Sequence, residues 1–144
     1  MNSARPLEKK AAIVTGASRG IGFAVARKLG ELGARVVICA RDSSRLQAAA
    51  TDLGRHGIEA LAVPADVRRA DDVEAMFQRA ELALGPVEIV VNNAGIGFFG
   101  QVQEASEETW DSVLDTNLKS VFLMTRVSAP AMIRRRSGHI INIA

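Results

Sequence analysis

At 144 residues the chain is long enough for one domain with a substantial core. Its composition, 48% hydrophobic and 24% charged with a formal net charge of +2, excludes a disordered polypeptide and a strongly basic nucleic-acid wrapper. Aromatics make up only 4%, which argues against base-stacking platforms, and no run approaches the ~20 apolar residues of a membrane span.

The start, "MNSARPLEKK", carries two lysines, and the apolar run after it is too short for a secretory leader. "AAIVT" (11–15) reads as a first strand. "GIGFAVARKLGELG" follows with apolar residues at helical spacing and closes on Gly33. "ARVVICA" is a second strand; Cys39 lies inside it and reads as a buried structural thiol. Asp42 or Ser43 caps a helix that carries Leu46, Ala49, Ala50 and Leu53 on one face. "IEALAVPA" is a third strand ended by Pro64. Asp71 and Asp72 suit the start of a third helix, which Gly85-Pro86 ends. "VEIVVNNAG" is a fourth strand. From about Ser106 to Ile133 the pattern is helical, with Trp110, Val113, Leu114, Leu118, Val121 and Phe122 as its apolar face and a kink or stop at Pro130. Arg134, Arg135 and Arg136 form a cluster at that helix's C-terminus. "GHIINIA" is a fifth strand, with Ile140, Ile141 and Ile143 facing buried surfaces.

Strand and helix alternate throughout, which implies a doubly wound α/β fold: a parallel sheet with right-handed helical crossovers. The strands are nearly continuously apolar, as strands buried on both faces should be. The single cysteine excludes an internal disulfide, and neither His56 nor His139 has a partner at metal-ligand spacing. The expectation is a cytoplasmic, metal-free protein with neither a nucleic-acid nor a membrane partner.

Ligands of such sheets bind beyond the carboxyl ends of the strands. The unusual residue choices gather at that edge. "TGASRGIG" places Gly16, Gly20 and Gly22 between a strand and a helix, where backbone approaches a pyrophosphate closely and the helix N-terminus offers its N–H groups. At the end of the second strand, where an acid would bind the ribose 2′-hydroxyl of NAD, stand Ala40 and Arg41. Arg19 and Arg41 together suit a 2′-phosphate, so NADP is the expected cofactor. Asp42 would serve NAD only by turning inward, and capping the next helix is the favoured reading. Asp66 either accepts a hydrogen bond from the adenine amino group or is a turn residue. Asn92 either serves the site or ties neighbouring strands together. Phe98 and Phe99 either line the near side of a substrate pocket or pack under the fourth helix.

These motifs resemble the short-chain dehydrogenase/reductase family in its compact single-domain branch. Thr15-Gly16-Ala17-Ser18-Arg19-Gly20-Ile21-Gly22 matches that branch's TGxxxGxG. Asp66-Val67, Asn92-Asn93-Ala94-Gly95, Trp110 and Asn117-Leu118 fall in the family's order. Within the family the chain is most similar to the 3-oxoacyl-[acyl-carrier-protein] reductases of fatty acid synthesis.

The resemblance implies a Rossmann-like fold and hydride transfer between NADP(H) and a carbonyl, such as that of a small molecule or an acyl thioester. It implies cofactor contacts from Gly16, Ser18, Arg19, Gly20, Ile21, Gly22, Arg41, Asp66, Val67, Asn93, Ala94 and Gly95. It also implies a catalytic role for Asn117 in positioning a helix and a proton-relay water, and a homodimer or homotetramer. The family's active-site Ser, Tyr and Lys would follow "IINIA", and the 144 residues contain no tyrosine. The expectation is therefore that residues 1–144 are the dinucleotide-binding part of one domain truncated after its fifth strand, and inactive alone. The alternative is a non-catalytic nucleotide-binding or interaction module.

Overall fold

A computed structural model describes residues 5–144 of the chain. Residues 1–4, part of the start read above for a leader, lie outside the described residues. Five strands, β1 (Ala11–Thr15), β2 (Arg35–Ala40), β3 (Ala60–Pro64), β4 (Val87–Asn92) and β5 (His139–Asn142), form one parallel sheet in the order β3-β2-β1-β4-β5. The helices are α1 (Gly20–Glu31), α2 (Ser43–Arg55), α3 (Ala70–Leu84), α4 (Glu107–Leu114) and α5 (Ser120–Arg135). A π turn, Asp115–Lys119, joins α4 to α5 without a break, and a short 3-10 turn, Val102–Glu104, precedes α4.

The two faces of the sheet build two cores. Val14, Val36, Ile38 and Val91 pack with Ala26, Leu46 and Leu53 of α1 and α2 on one side. Ile13, Val37 and Val90 pack with Val73, Met76 and Phe77 of α3 and Leu123 and Met124 of α5 on the other. Burying each such aliphatic side chain contributes about 1.5–3 kcal/mol, which is why β1, β2 and β4 carry no polar residue before their carboxyl ends, apart from Arg35 and Glu88 near their starts.

Several boundaries differ from the sequence expectations. β3 begins at Ala60, not Ile58, because the Ile58 N–H bonds the Leu53 carbonyl and belongs to the end of α2. β4 stops at Asn92 because the next two N–H groups, of Asn93 and Ala94, turn to the Thr15 hydroxyl. Pro130 does not end the helix: α5 runs through it to Arg135. Its fixed φ suits a helix, but the missing N–H removes one i→i−4 bond there and its ring crowds the carbonyl of Arg126. Arg135 turns back from the helix end to donate to the Val87 carbonyl at 2.6 Å and to pair with Glu81 at 3.6 Å. Asn92 does tie strands together, donating its amide to Asn142 Oδ1 at 2.9 Å.

Burial is uneven along the last helical segment, and in the last strand it departs from expectation. The apolar face read from Trp110 to Phe122 points outward: Trp110 is 62% exposed, Leu118 64% and Phe122 58%. The buried stripe of this helical segment is instead Thr116, Ser120, Leu123, Met124, Ser128, Ala131 and Met132. In β5 only Ile140 packs against the α3/α5 core, while Ile141 and Ile143 are exposed, because the strand pairs on one side only, with β4.

Candidate functional site

The sheet's order reverses between β1 and β4: the chain adds β2 and β3 on one side of β1 and then crosses to the other. At this switch point the loops after neighbouring strands part and leave a crevice. A cleft of about 760 Å3 opens there, floored by Gly16, Ala65 and Ala94 and walled by the loops after β1, β2, β3 and β4.

Thr15 joins two of those loops. Its buried hydroxyl accepts from the N–H groups of Asn93 at 3.1 Å and Ala94 at 3.0 Å. Asn93 answers from the other side, its amide donating to the carbonyls of Thr15 at 3.1 Å and Gly16 at 3.2 Å. The glycines permit this closeness. A Cβ on Gly16 would lie 2.8 Å from Ala94 Cα, and one on Gly22 would run into the Gly16 carbonyl and the Asn93 amide. Gly20 opens α1 at φ +61°, a left-handed conformation that costs other residues about 1–2 kcal/mol. No side chain caps α1 and no acid sits in its first turn, so its first N–H groups and the positive end of its dipole face the cleft without a protein anion.

The far wall is basic. Arg19, Arg41, Arg45 and Arg68 all line it, with Asp42 and Asp66 between them. Asp42 caps α2, accepting from the Arg45 N–H at 2.9 Å, and its carboxylate also lies 3.5 Å from Arg45 Nε. Asp66 is gripped by Arg68, whose Nη2 donates at 2.6 Å. Arg68, by hydrogen bond first, and more distantly Arg41 hold the Asp66 carboxyl below the usual carboxylate range. Arg19 and Arg41 form no ion pair among the described residues. Cys39 lines the cleft floor but is wholly buried, and burial pushes its thiol up to about 12, so it stays a neutral structural group.

Asn117 sits on the π turn and locks the loop after β4. Its Oδ1 accepts from the Ile96 N–H and its Nδ2 donates to the Ile96 carbonyl, both at 2.8 Å. A π turn widens the helix by one residue per turn and recurs at functional sites.

The residues singled out in the sequence thus converge. Gly16, Ser18, Arg19, Gly20 and Ile21 line the cleft from the first loop, Arg41, Asp66 and Val67 from the second and third, and Asn93, Ala94 and Gly95 from the fourth. Gly22 and Asn117 stand behind this lining, and each fixes a residue that belongs to it. Phe98 and Phe99 are both exposed, Phe99 completely, rather than packed under the fourth helix, and neither lines this cleft. The sequence reading passed over Arg45 and Arg68. Their signal was positional, one turn into the second helix and two residues past Asp66. His56 and His139 lie at the end of α2 and the start of β5, at the sheet's other edge. Among the described residues no group of His, Cys, Asp and Glu could hold a metal ion, and no helix is long and apolar enough to cross a membrane.

A sequence profile described as short chain dehydrogenase matches residues 10–144. The 3-oxoacyl-[acyl-carrier-protein] reductase FabG of Staphylococcus aureus is 40% identical over 136 residues, 94% of this chain and 55% of that protein. A metagenomic short-chain oxidoreductase solved in complex with NADP superposes with a TM-score of 0.91 at 45% identity, covering 96% of this chain and 63% of that one. A variant of actinorhodin polyketide ketoreductase solved with NADPH also gives 0.91, at 40% identity over 94% of this chain and 52% of that one. The chain spans about half the length of the curated relatives it matches. With the glycine-rich turn, the switch-point cleft and these matches in agreement, the chain belongs to the short-chain dehydrogenase family.

Proposed function

We propose that the cleft binds NADP(H) and that residues 1–144 are the dinucleotide-binding part of a single-domain reductase of carbonyl compounds, with 3-oxoacyl thioesters as the substrate class. The observation that carries the cofactor is the pair Arg19 and Arg41, two guanidinium groups without an ion pair among the described residues, on the wall of a cleft whose floor is glycine loop and helix N-terminus. Ala40 stands where NAD recognition needs an acid, and Asp42 is engaged by its own helix. The relatives solved with NADP and NADPH support the same choice, and the FabG relative supports the thioester.

In this reading the loop N–H groups and the start of α1 hold the pyrophosphate. Arg19 and Arg41 hold the 2′-phosphate through charge-assisted bonds. Asn93 holds the glycine loop in shape from behind. Asn117 keeps the loop of Gly95 and Ile96 against the π turn and so sets the edge of the reacting end. NADP(H), when bound, supplies or accepts a hydride. Reduction of a carbonyl also needs a proton donor. The 144 residues contain no tyrosine, and the Cys39 thiol is buried with its proton held tightly. They therefore bind cofactor without reducing a carbonyl by themselves. The working protein is a homodimer or homotetramer, a proposal supported by the exposed apolar side chains of α4 and α5.

Calorimetric titration tests the cofactor. Charge-assisted bonds are worth about 1.5–3 kcal/mol each, so Arg41→Ala should weaken NADPH binding roughly tenfold to a hundredfold and leave NADH nearly unchanged. Equal loss for both would remove Arg41 from the 2′-phosphate.

A further inference from the structure

Arg68 closes on Asp66, one of the two carboxylates that line the cleft. A carboxylate offers about four acceptor positions. On Asp66, Oδ1 accepts from the Arg68 main-chain N–H at 3.0 Å and from its Nε at 2.9 Å, while Oδ2 accepts from Nε at 3.1 Å and Nη2 at 2.6 Å. Three N–H groups of one residue thus engage both oxygens, the Nε–H shared between them, and crowd the positions that an adenine amino group would need.

Of the two partners, only one is free to move. The Asp66 main chain is fixed on both sides: its N–H donates to Asp72 Oδ2 at 2.9 Å and its carbonyl accepts from the Arg69 N–H at 3.0 Å. The Arg68 guanidinium rides on a long stem and its side chain is 34% exposed at the cleft wall. Arg41, placed above on the 2′-phosphate, lies near enough to act on the Asp66 carboxylate. Arg41 follows β2, and β2 and β3 end side by side, with the Ala65 N–H bonded to the Ala40 carbonyl at 3.1 Å.

Resting on the NADP(H) reading above, we propose that Arg68 is a specificity-determining latch: it closes the Asp66 acceptor until a 2′-phosphate draws its guanidinium away, and only then is Asp66 released to the adenine amino group. A guanidinium fork matches a carboxylate and a phosphate with the same geometry, and the phosphate carries the larger charge. NAD(H) has no 2′-phosphate to offer the fork, so it meets Asp66 already occupied. Discrimination arises twice, from the ion pair that the 2′-phosphate makes with Arg68 and from the acceptor that this pairing opens on Asp66.

The test is calorimetric titration of the chain with NADP+ and with NAD+, beside Arg68→Met, which keeps the stem and removes the fork and charge. The latch predicts that Arg68→Met weakens NADP+ at least tenfold while NAD+ binds as well as before or more tightly, because Asp66 is open. Weakening of both by the same factor would make Arg68 a clamp for its turn and overturn the latch. Arg68→Lys, which keeps the charge, guards against misfolding of the first variant and should restore part of the NADP+ preference; no restoration also overturns it. If the unsubstituted chain binds no NADP+, the cofactor reading itself falls, and the latch with it. If it binds NADP+ and the NADP+ to NAD+ ratio is unchanged in Arg68→Met, the latch alone falls.

Discussion

Thr15 is a single hydroxyl that sets the distance between two loops. It accepts two N–H groups from the loop after β4, and the Asn93 amide returns two bonds to the loop after β1. Neither residue touches a cofactor to do this, and both serve the site by shape. Asp66 is displaced from its ordinary state by its own partner, Arg68. Its folded carboxyl titrates below the unfolded range near 3.9, so the unfolded chain binds the proton more readily. The stabilisation is fully present above that unfolded value and is lost as pH falls through the lower, folded one. Urea unfolding between pH 7 and pH 3 should show the chain losing stability below about pH 4, with Asp66→Asn losing less over the same interval. Parallel curves for the two would mean the pair contributes nothing to folding. The glycine loop and Arg41 were legible because a turn and a strand end announce themselves in the chain. The engagement of Asp66 was not, since nothing in "ADVRR" tells which of its neighbours the carboxylate faces.

At the scale of the element, capping and burial part company in how well they can be read. Asp42 before α2 was legible as a cap, and the structure chooses it over Ser43: its side chain takes the Arg45 N–H. Asp42→Ala should cost about 0.5–2 kcal/mol of stability by urea melt. No loss would mean that Ser43 takes over the cap. The segment from α4 to α5 shows the opposite case. Hydrophobic periodicity identified an apolar face, and that face is not the one the sheet covers. The buried stripe contains Ser120 and Ser128, which read as polar in a sequence. Each returns its hydroxyl to the carbonyl four residues back, Thr116 at 2.5 Å and Met124 at 2.7 Å, and so enters the interior without an unpaired donor. Periodicity finds an apolar stripe and does not say what covers it. The exposure of Ile141 and Ile143 in β5 has the same origin, because an apolar run does not tell an edge strand from a central one.

For the molecule as a whole, what matters is the surface that this exposed face makes. Trp110, Leu114, Leu118 and Phe122 follow one another at intervals of four along the continuous α4–α5 segment, so they share one side of it. All four are exposed, from 37% at Leu114 to 64% at Leu118. The Arg126 guanidinium lies 5.2 Å from the centre of the Phe122 ring and ends the stripe with a charge. Single apolar side chains on a surface need no explanation, whereas a contiguous row marks a place of contact. In the homo-oligomer proposed above, a second copy of the chain would bring an identical row, and a twofold axis would set each copy's patch on the other's. Trp110 is the chain's one tryptophan, so it reports on this contact alone. On raising the protein from nanomolar to tens of micromolar, its emission should shift to the blue as the indole leaves water, in step with a rise in sedimentation coefficient. Phe122→Glu places a charge on the row at a position that contributes little to the core. It should hold the chain monomeric and keep Trp110 emission red at every concentration, with the far-ultraviolet spectrum unchanged. A monomer at tens of micromolar with unshifted emission would leave the row without a partner of its own kind and overturn self-association.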